Sequence, residues 1–203
     1  LNPLKTQNRD GIFRGTDGEL HLAKDYTHYN GWSVWDNFRN KFSLYALIIP
    51  DISNDIANSL VSLYKHGMPY WSGYNEPVPT VRTEHTVVVL LDLYRRGIVN
   101  FDIKSMYQRL TAEINNIKAN SPDTRLELAY DYWALAEFAQ ILGLKEDQEL
   151  YYQKAMEYKS TWKKKFFNIT DNFDVMHAEG LYEGTLWQYQ WHVQFDIPGL
   201  IAL

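Results

Sequence analysis

The chain has 203 residues, 45% of them hydrophobic and 22% charged, which suits one globular domain or a piece of a larger one. No apolar run approaches the roughly 18 residues that a membrane helix needs, so we expect no membrane span. The formal net charge is −5 and neither sign forms a long block, which argues against nucleic acid as a partner. Without cysteine, the chain has no disulfide, thiolate metal ligand or thiol nucleophile.

Aromatic residues make up 15% of the chain, with 7 Trp, 15 Tyr and 9 Phe. A large core absorbs aromatic side chains. Protein surfaces that hold sugar rings also use them, because a flat apolar face stacks on the C–H face of a pyranose. Composition leaves both explanations open.

Helical periodicity predominates from about residue 36 onward. In the clearest run, Ile56, Leu60 and Leu63 recur at spacings of four and three, and Ser53 and Asp55 can cap its start. Further runs span about residues 87–94, 103–117, 128–142 and 151–166. Five or six helices with short connections, and no convincing strand hairpin, predict an all-α fold.

Two architectures suit such a helical series. No repeat of about 34 residues is visible and the helix lengths vary, which argues against a tetratricopeptide-like solenoid. The alternative is a toroid of helical hairpins, an α/α barrel, whose loops converge at one end. Residues 1–31, 67–83 and 168–185 are rich in Gly, Asn, Asp, Thr and Pro, and we expect them to be long loops gathered near that end.

The two ends of the chain carry neither a leader peptide nor a helix-closing signal. We therefore expect the chain to be a segment of a longer protein, and its localisation is not readable from the segment itself.

A first candidate site is Gly31–Arg39, which places two Trp, an acid and an arginine where a loop meets a helix. One interpretation is structural, with Asp36 capping the helix, Trp35 packing on the turn and Arg39 in a surface pair. The other is a sugar clamp, in which Asp36 accepts bonds from two adjacent hydroxyls, Trp35 packs on the ring and Arg39 orients the carboxylate.

A second candidate site is the loop Pro69–Pro77, which contains three aromatic residues and Glu76. Exposed aromatic side chains in a loop favour binding, although Trp71 filling the end of the helical core explains them equally well. His85 follows at the start of the next helix as a neutral hydrogen-bonding group. With no second His four residues on, the helix does not carry a zinc motif.

A third candidate site is Glu179–Asp196. From Trp187 to Phe195 every odd residue is apolar and every even one is Gln or His, so an extended chain would present one aromatic and one amide-rich face. A surface strand explains this alternation without a function. Glu183 lies just upstream, and a carboxyl held among aromatic rings has the raised pKa that a general acid requires. A solvated loop carboxylate is the other interpretation of Glu183.

The chain carries, in order, F-R-G-T-D-G at 13–18, S-V-W-D-N-F-R at 33–39, L-E-L-A-Y-D-Y-W at 126–133 and Y-E-G-T-L-W-Q-Y at 182–189. His85, followed by Asp92 and Gly97, lies between the second and third of these segments. This series resembles glycoside hydrolase family 92, the calcium-dependent exo-acting α-mannosidases. The corresponding family motifs read S-[LV]-W-D-T-[FY]-R, L-E-Y-A-[YF]-D-D-W and Y-x-E-G-N-x-W-Q-Y.

The resemblance implies a partial (α/α)₆ barrel. Residues 1–203 would be a segment of a single catalytic domain, with an N-terminal β-rich domain and the C-terminal part of the barrel outside this chain. The implied activity is hydrolysis of terminal α-linked mannose from a glycan with inversion, the segment alone being inactive. A periplasmic or secreted bacterial protein is implied as well.

The resemblance also implies roles for individual residues. Glu183 would be the general acid, with the general base outside the segment. The candidate substrate-binding residues are Trp35, Asp36, Arg39, Trp71, Glu76, His85, Trp187 and Gln188. A calcium ion is expected with ligands downstream of residue 203, so no metal ligand is expected here.

Two alternatives to a mannosidase stay open. Aromatic rings and a carboxylic acid do not choose the sugar, so an α/α-barrel glycosidase acting on α-glucosides has the same features. A non-catalytic carbohydrate-binding or helical scaffold domain is the other alternative, because the stretch Glu76–His85 departs from the family pattern E-T-x-x-M-x-G-x-H.

Overall fold

The computed structural model describes residues 3–15, 17–66, 84–169 and 171–203, and these residues are mostly helical. The chain divides into two compact units, Leu1–Glu113 and Ile114–Leu203. No helix in the described ranges combines the length and the apolar character needed to cross a bilayer.

The first unit begins with four short strands: β1 (Leu4–Lys5), β2 (Ile12–Arg14), β3 (Leu20–Leu22) and β4 (Tyr29–Asn30). β1 pairs antiparallel with β4, and β2 pairs antiparallel with β3, where Phe13 lies opposite His21. The prediction that 1–31 is a loop without a hairpin is therefore wrong. Strands of two or three residues are too short to show an alternating pattern, and the Asn8 side chain, which accepts the backbone N–H groups of Asp10 and Ile12, stabilises the turn before β2.

The helices of the first unit follow the strands: α1 (Val34–Asn37), α2 (Lys41–Ile48), α3 (Pro50–Lys65), α4 (Thr86–Arg95) and α5 (Ile103–Ile114). The predicted apolar face of α3 is confirmed, because Ile56, Leu60 and Leu63 are buried. The predicted capping by Ser53 and Asp55 is wrong, since α3 begins three residues earlier at Pro50. A Pro at the first helical position starts a helix without a side-chain cap.

The second unit contains α6 (Pro122–Leu142), α7 (Lys145–Met156), α8 (Tyr158–Lys165), α9 (Leu186–Tyr189) and α10 (Ile197–Ile201), with a 3₁₀ turn at Ala178–Gly180. A reciprocal pair of side-chain bonds between Ser121 and Thr124 caps α6 at its start. Gly143 ends it with φ 73°, directly after the predicted helical run of about 128–142. The single run predicted over 151–166 is divided between α7 and α8, with the break at Glu157.

Helix α6 contacts both α7 and α8. The core of this unit is a cluster of buried side chains: Leu126, Ala129, Tyr158, Phe166, Leu181, Leu186, Tyr189 and Val193. Phe195 stacks on Tyr130 and Trp133 and meets Tyr158 edge to face. Part of the aromatic content is therefore core.

Three segments remain: two predicted as long loops, and one interpreted as a surface strand. Residues 168–185 form turns in the ranges described, as expected of a loop. The predicted loop 67–83 lies outside the described residues. The interpretation of Trp187–Phe195 as a surface strand is wrong, because α9 occupies 186–189 and turns follow it. A helix of one turn is too short to show a helical pattern in the sequence, so the alternation over nine residues is the stronger signal.

Candidate active site

Glu183 lies in the second unit, between the 3₁₀ turn and α9, and its side chain is exposed. Its φ is 45°, in the left-handed region where a side chain with a Cβ costs about 1–2 kcal/mol. The expected enclosure of this carboxyl by aromatic rings is wrong. Glu183 is instead an exposed carboxyl on a backbone position that needs support from its surroundings.

Tyr182, the residue before Glu183, is held at both ends. The carboxylate of Asp123 accepts the Tyr182 N–H at 2.7 Å, and the hydroxyl of Tyr189 donates to the Tyr182 carbonyl oxygen at 2.7 Å. Asp123 is 0% exposed and lies in the first turn of α6, where it also accepts the hydroxyl of Ser121. A helix N-terminus is a favourable place for a carboxylate.

Gly184, the residue after Glu183, lies against the ring of Tyr189. Its carbonyl oxygen accepts the His177 N–H at 3.0 Å. Thr185 then caps α9, accepting the N–H of Gln188 at 3.2 Å while the Gln188 side chain accepts the Thr185 N–H at 2.9 Å. Gln188, a predicted substrate-binding residue, thus has a structural role in starting α9.

Trp187, another predicted binding residue, belongs to an exposed aromatic surface. It is 55% exposed and meets Phe173 and Trp191 edge to face, with ring centroids 6.1 and 6.2 Å apart. Trp191 is 57% exposed. Such a surface offers flat apolar faces to a sugar ring.

In the first unit, Trp35 and Asp36 belong to α1, and Arg39 follows it. Asp36 is exposed and accepts the hydroxyl of Ser33, which is the residue at the N-cap of α1. The predicted capping by Asp36 is therefore wrong. The Arg39 guanidinium lies over the rings of Trp35 and Phe38, 5.8 and 4.4 Å from their centroids, and no ion pair joins it to Asp36 among the described residues.

His85 lies at the N-terminal end of α4, as predicted, and the structure shows that it is buried. Its ring centroid is 4.2 Å from that of Phe38, so the same unit brings the 33–39 segment and His85 together. Trp71 and Glu76, the other residues predicted to line this pocket, lie outside the described residues.

Asp17, His21 and His66 form a cluster that sequence reasoning missed. Their candidate ligand atoms lie within 4.8 Å of one another, the Asp17 carboxylate is 2.8 Å from His21 Nε2, and the two imidazoles stack at 3.8 Å. Calcium takes six to eight oxygen ligands, so two imidazoles and one carboxylate do not fit it. Asp17 and His21 satisfy each other instead, and we assign the cluster to the structure of the β2–β3 turn.

Burial and nearby charges favour the neutral forms of His66, in this cluster, and of His28 beside it. Burial lowers the pKa of His66, and the nearby His21 lowers it further. Burial would raise the pKa of Asp17, but the Glu19 N–H and His21 outweigh it and the pKa is lowered. His28 stacks on Phe13 at 3.5 Å, and burial, with the charges of His66 and His21, lowers its pKa to about 4.

The segment that carries the exposed carboxyl of Glu183 also carries the exposed rings of Tyr182 and Trp187, and such rings can stack on sugars. The model of the glycosyl hydrolase family 92 catalytic domain matches residues 1–203, and the chain belongs to this family. Membership supports glycoside hydrolysis. No curated protein sequence matches the chain.

Solved structures of the same family resemble the chain. The GH92 glycosyl hydrolase CcMan5 is 29% identical, with a TM-score of 0.82 over 99% of this chain and 31% of its own. The GH92 α-mannosidase BT3965 from Bacteroides thetaiotaomicron is 25% identical, with a TM-score of 0.81 over 99% of this chain and 32% of its own. The GH92 inverting mannosidase BT2199 of the same species is 23% identical and shows the fold alone, with a TM-score of 0.76 over 94% and 30%. The chain thus spans about a third of their length.

Proposed function

We propose that the full-length protein removes terminal α-linked mannose from a glycan with inversion, and that Glu183 is its general acid. Residues 1–203 would be one segment of a single α/α-barrel catalytic domain, in a periplasmic or secreted protein. Family membership supports the proposal, as do BT3965, an α-mannosidase also solved with mannoimidazole, and BT2199, an inverting mannosidase.

The observation that carries the assignment is the backbone at Glu183. An exposed carboxyl at φ 45°, with hydrogen bonds on the residues before and after it, is a strained position that the surroundings maintain. Glu179 also has a positive φ, but only at Glu183 do the buried side chains of Asp123 and Tyr189 hold the preceding residue, and this support gives the carboxyl a defined direction.

The chemistry needs two carboxyl groups on opposite sides of the scissile bond, about 6.5–9.5 Å apart in an inverting enzyme. Glu183 would give its proton to the leaving oxygen while the second carboxylate, which we place outside this segment, takes a proton from the attacking water.

Binding residues are proposed in both units. Asp36 and Trp35 would hold the terminal mannose, with His85 and, in the stretch outside the described residues, Trp71 and Glu76 beside it. Arg39, which lies on Trp35, would keep that ring in place. Trp187 would stack on a sugar ring, and Gln188 would keep α9 in place beneath it.

Calcium is proposed for the full-length protein, with ligands downstream of residue 203. A bound calcium ion would supply a hard cation for sugar hydroxyl oxygens. None of the roles assigned to residues of this chain depends on it.

Glu183→Gln in full-length protein tests the proposal. Hydrolysis of unactivated mannose disaccharides should fall by on the order of 10²–10⁴, the usual contribution of a positioned acid. Aryl mannosides with a good leaving group should be affected far less, because that group leaves without a proton. Glu179→Gln is the matched control, an exposed Glu of the same segment that also has a positive φ and pairs with Lys165 at 2.6 Å.

If both classes of substrate lose activity equally, or neither does, Glu183 is not the acid. The sugar specificity is tested with the wild-type protein, by measuring which sugar it releases from disaccharides. Release of glucose from α-glucosides without calcium would identify the alternative glycosidase, and no release from any disaccharide would identify a non-catalytic domain.

A further inference from the structure

We propose that Asp123 and Tyr189 are positioning residues for Glu183, a role that rests on the proposed function of Glu183 as general acid. They hold Tyr182 from two sides, and Tyr182 is joined directly to Glu183. The Tyr182 carbonyl belongs to the same peptide plane as the Glu183 nitrogen, so a bond to that carbonyl fixes the plane from which Glu183 projects.

Asp123 provides the support from α6. Its side chain is 0% exposed, its carboxylate accepts the Tyr182 N–H at 2.7 Å, and it sits in the first turn of a helix of 21 residues. The position is therefore rigid. Losing this acceptor would leave a backbone N–H in need of a new partner, which favours rearrangement of the loop.

Tyr189 provides the support from α9. Its ring is buried, and its hydroxyl donates to the Tyr182 carbonyl at 2.7 Å. The same ring occupies the space next to Gly184, where a Cβ would come within 2.5 Å of Cε2. One side chain thus restrains the residues on both sides of Glu183.

The restraint matters because the conformation of Glu183 is unfavourable on its own. At φ 45° the backbone would relax if either support were removed, and the carboxyl would move with it. A displacement of about 1 Å between reacting groups can reduce a rate by roughly 10². Neither Asp123 nor Tyr189 needs to touch the substrate to affect proton transfer.

The experiment compares Tyr189→Phe, Asp123→Ala and Asp123→Asn in full-length protein, on a mannose disaccharide and on an aryl mannoside. Tyr189→Phe removes one hydroxyl and keeps the ring. We expect kcat on the disaccharide to fall by about 10-fold in Tyr189→Phe and by on the order of 10–100-fold in Asp123→Ala, with KM unchanged and the aryl mannoside little affected. Asp123→Asn should keep most of the activity, because its amide oxygen can still accept the Tyr182 N–H.

Tyr158→Phe is the matched control. It also removes a hydroxyl from a buried ring of the second unit, one that donates to Asp196 at 2.8 Å. Any loss of activity in Tyr158→Phe should come from lost stability and should therefore be the same on the disaccharide and on the aryl mannoside. Circular dichroism verifies folding of each variant, and if Asp123→Ala does not fold, Tyr189→Phe decides.

The positioning role is overturned, and the function left intact, if Glu183→Gln lowers activity mainly on the disaccharide but Tyr189→Phe has no effect. The same holds if Tyr189→Phe lowers activity equally on both substrates. A Glu183→Gln variant without selectivity would overturn the proposed function and the positioning role together.

Discussion

The ring of Tyr189 lies where a side chain at Gly184 would have to be. A Cβ at Gly184 would stand 2.5 Å from Tyr189 Cε2 and 2.9 Å from Cδ2, distances that real Cβ atoms do not show. Glycine is needed here for space, and it brings the chain close enough for the Tyr189 hydroxyl to reach the Tyr182 carbonyl.

Gly184→Ala should therefore shift the Tyr189 ring and loosen the support of Glu183. Overpacking of this kind typically costs about 1–3 kcal/mol in stability. We expect a lower midpoint of thermal unfolding and a larger loss of activity on the disaccharide than on the aryl mannoside. The control is Gly180→Ala, where no atom lies within 4 Å of the added Cβ but φ is 78°. This variant should lose stability through backbone strain, yet lose activity equally on the two substrates.

A double variant identifies the cause. Tyr189→Leu creates room for the new Cβ, so adding Gly184→Ala to it should cost less than Gly184→Ala costs alone. Additive effects in this double-mutant cycle would show that the clash with Tyr189 is not what makes Gly184 necessary.

Protonation of His28 should destabilise the first unit in acid. Because the pKa of His28 is about 4 when folded and about 6.5 when unfolded, the unfolded chain binds the proton more tightly. The neutral His28 ring makes its full contribution to the free energy of unfolding above about pH 6.5, and this contribution is lost as the pH falls towards 4. At about 1.36 kcal/mol per pKa unit, the loss amounts to roughly 3 kcal/mol.

His28→Phe keeps a ring against Phe13 and removes the titrating group. Urea unfolding between pH 4 and 7 should show a shallower dependence on pH in this variant than in the wild type. Gln7→Ala is the control, because the Gln7 side chain accepts the His28 backbone N–H and its loss should lower stability by the same amount at each pH. An unchanged pH dependence in His28→Phe would contradict the assignment.

Asp196 should stabilise the end of the second unit. It accepts the Gly199 N–H at 3.0 Å at the start of α10 and the Tyr158 hydroxyl at 2.8 Å. Asp196→Ala removes the cap, worth about 1 kcal/mol, and leaves a buried hydroxyl without its acceptor, which costs a further 1–3 kcal/mol or so. Asp196→Asn keeps one of the two acceptor oxygens, because an NH₂ group replaces the other, and should cost less than Asp196→Ala in chemical denaturation.

Acid should also reveal the contribution of Asp196. Burial would raise its pKa, but Tyr158, the Gly199 N–H and Lys159 outweigh burial and lower it. The stabilising effect of the ionised Asp196 is therefore present above about pH 3.9, the pKa of an Asp in the unfolded chain, and is lost as the pH falls below that value. Lys159 is 42% exposed, so we expect added salt to change little. A strong salt dependence would show that the ion pair dominates instead.

The long helices could be predicted because their pattern is local. Ile56, Leu60 and Leu63 repeat along one face of α3, and Gly143 ends α6, so each element is specified by its own residues. The short strands before residue 31 could not be predicted in the same way, since each depends on a partner elsewhere in the chain.

The candidate site shows the same limit. Glu183 could be singled out from its own segment and the family motif, but its supports could not. Asp123 follows Ser121 and Pro122 and looks like an ordinary acid at a helix start. Its contact with Tyr182 joins residues 59 positions apart, which only the folded chain reveals.

Asp36 provides the test of sugar binding in the first unit. Its carboxyl is exposed beside the half-buried ring of Trp35, and its contact with the Ser33 hydroxyl leaves other acceptor positions for sugar hydroxyls. Hydrogen bonds from such hydroxyls to a charged group contribute about 1.5–3 kcal/mol, so Asp36→Ala should lower kcat/KM by roughly 10–150-fold. The aryl mannoside and the disaccharide should lose activity alike, because both present the same terminal sugar. Ser33→Ala, which removes only the hydroxyl that contacts Asp36, should lower kcat/KM far less, and an equal loss in the two variants would mean that Asp36 acts by shaping the start of α1 and not by holding the sugar.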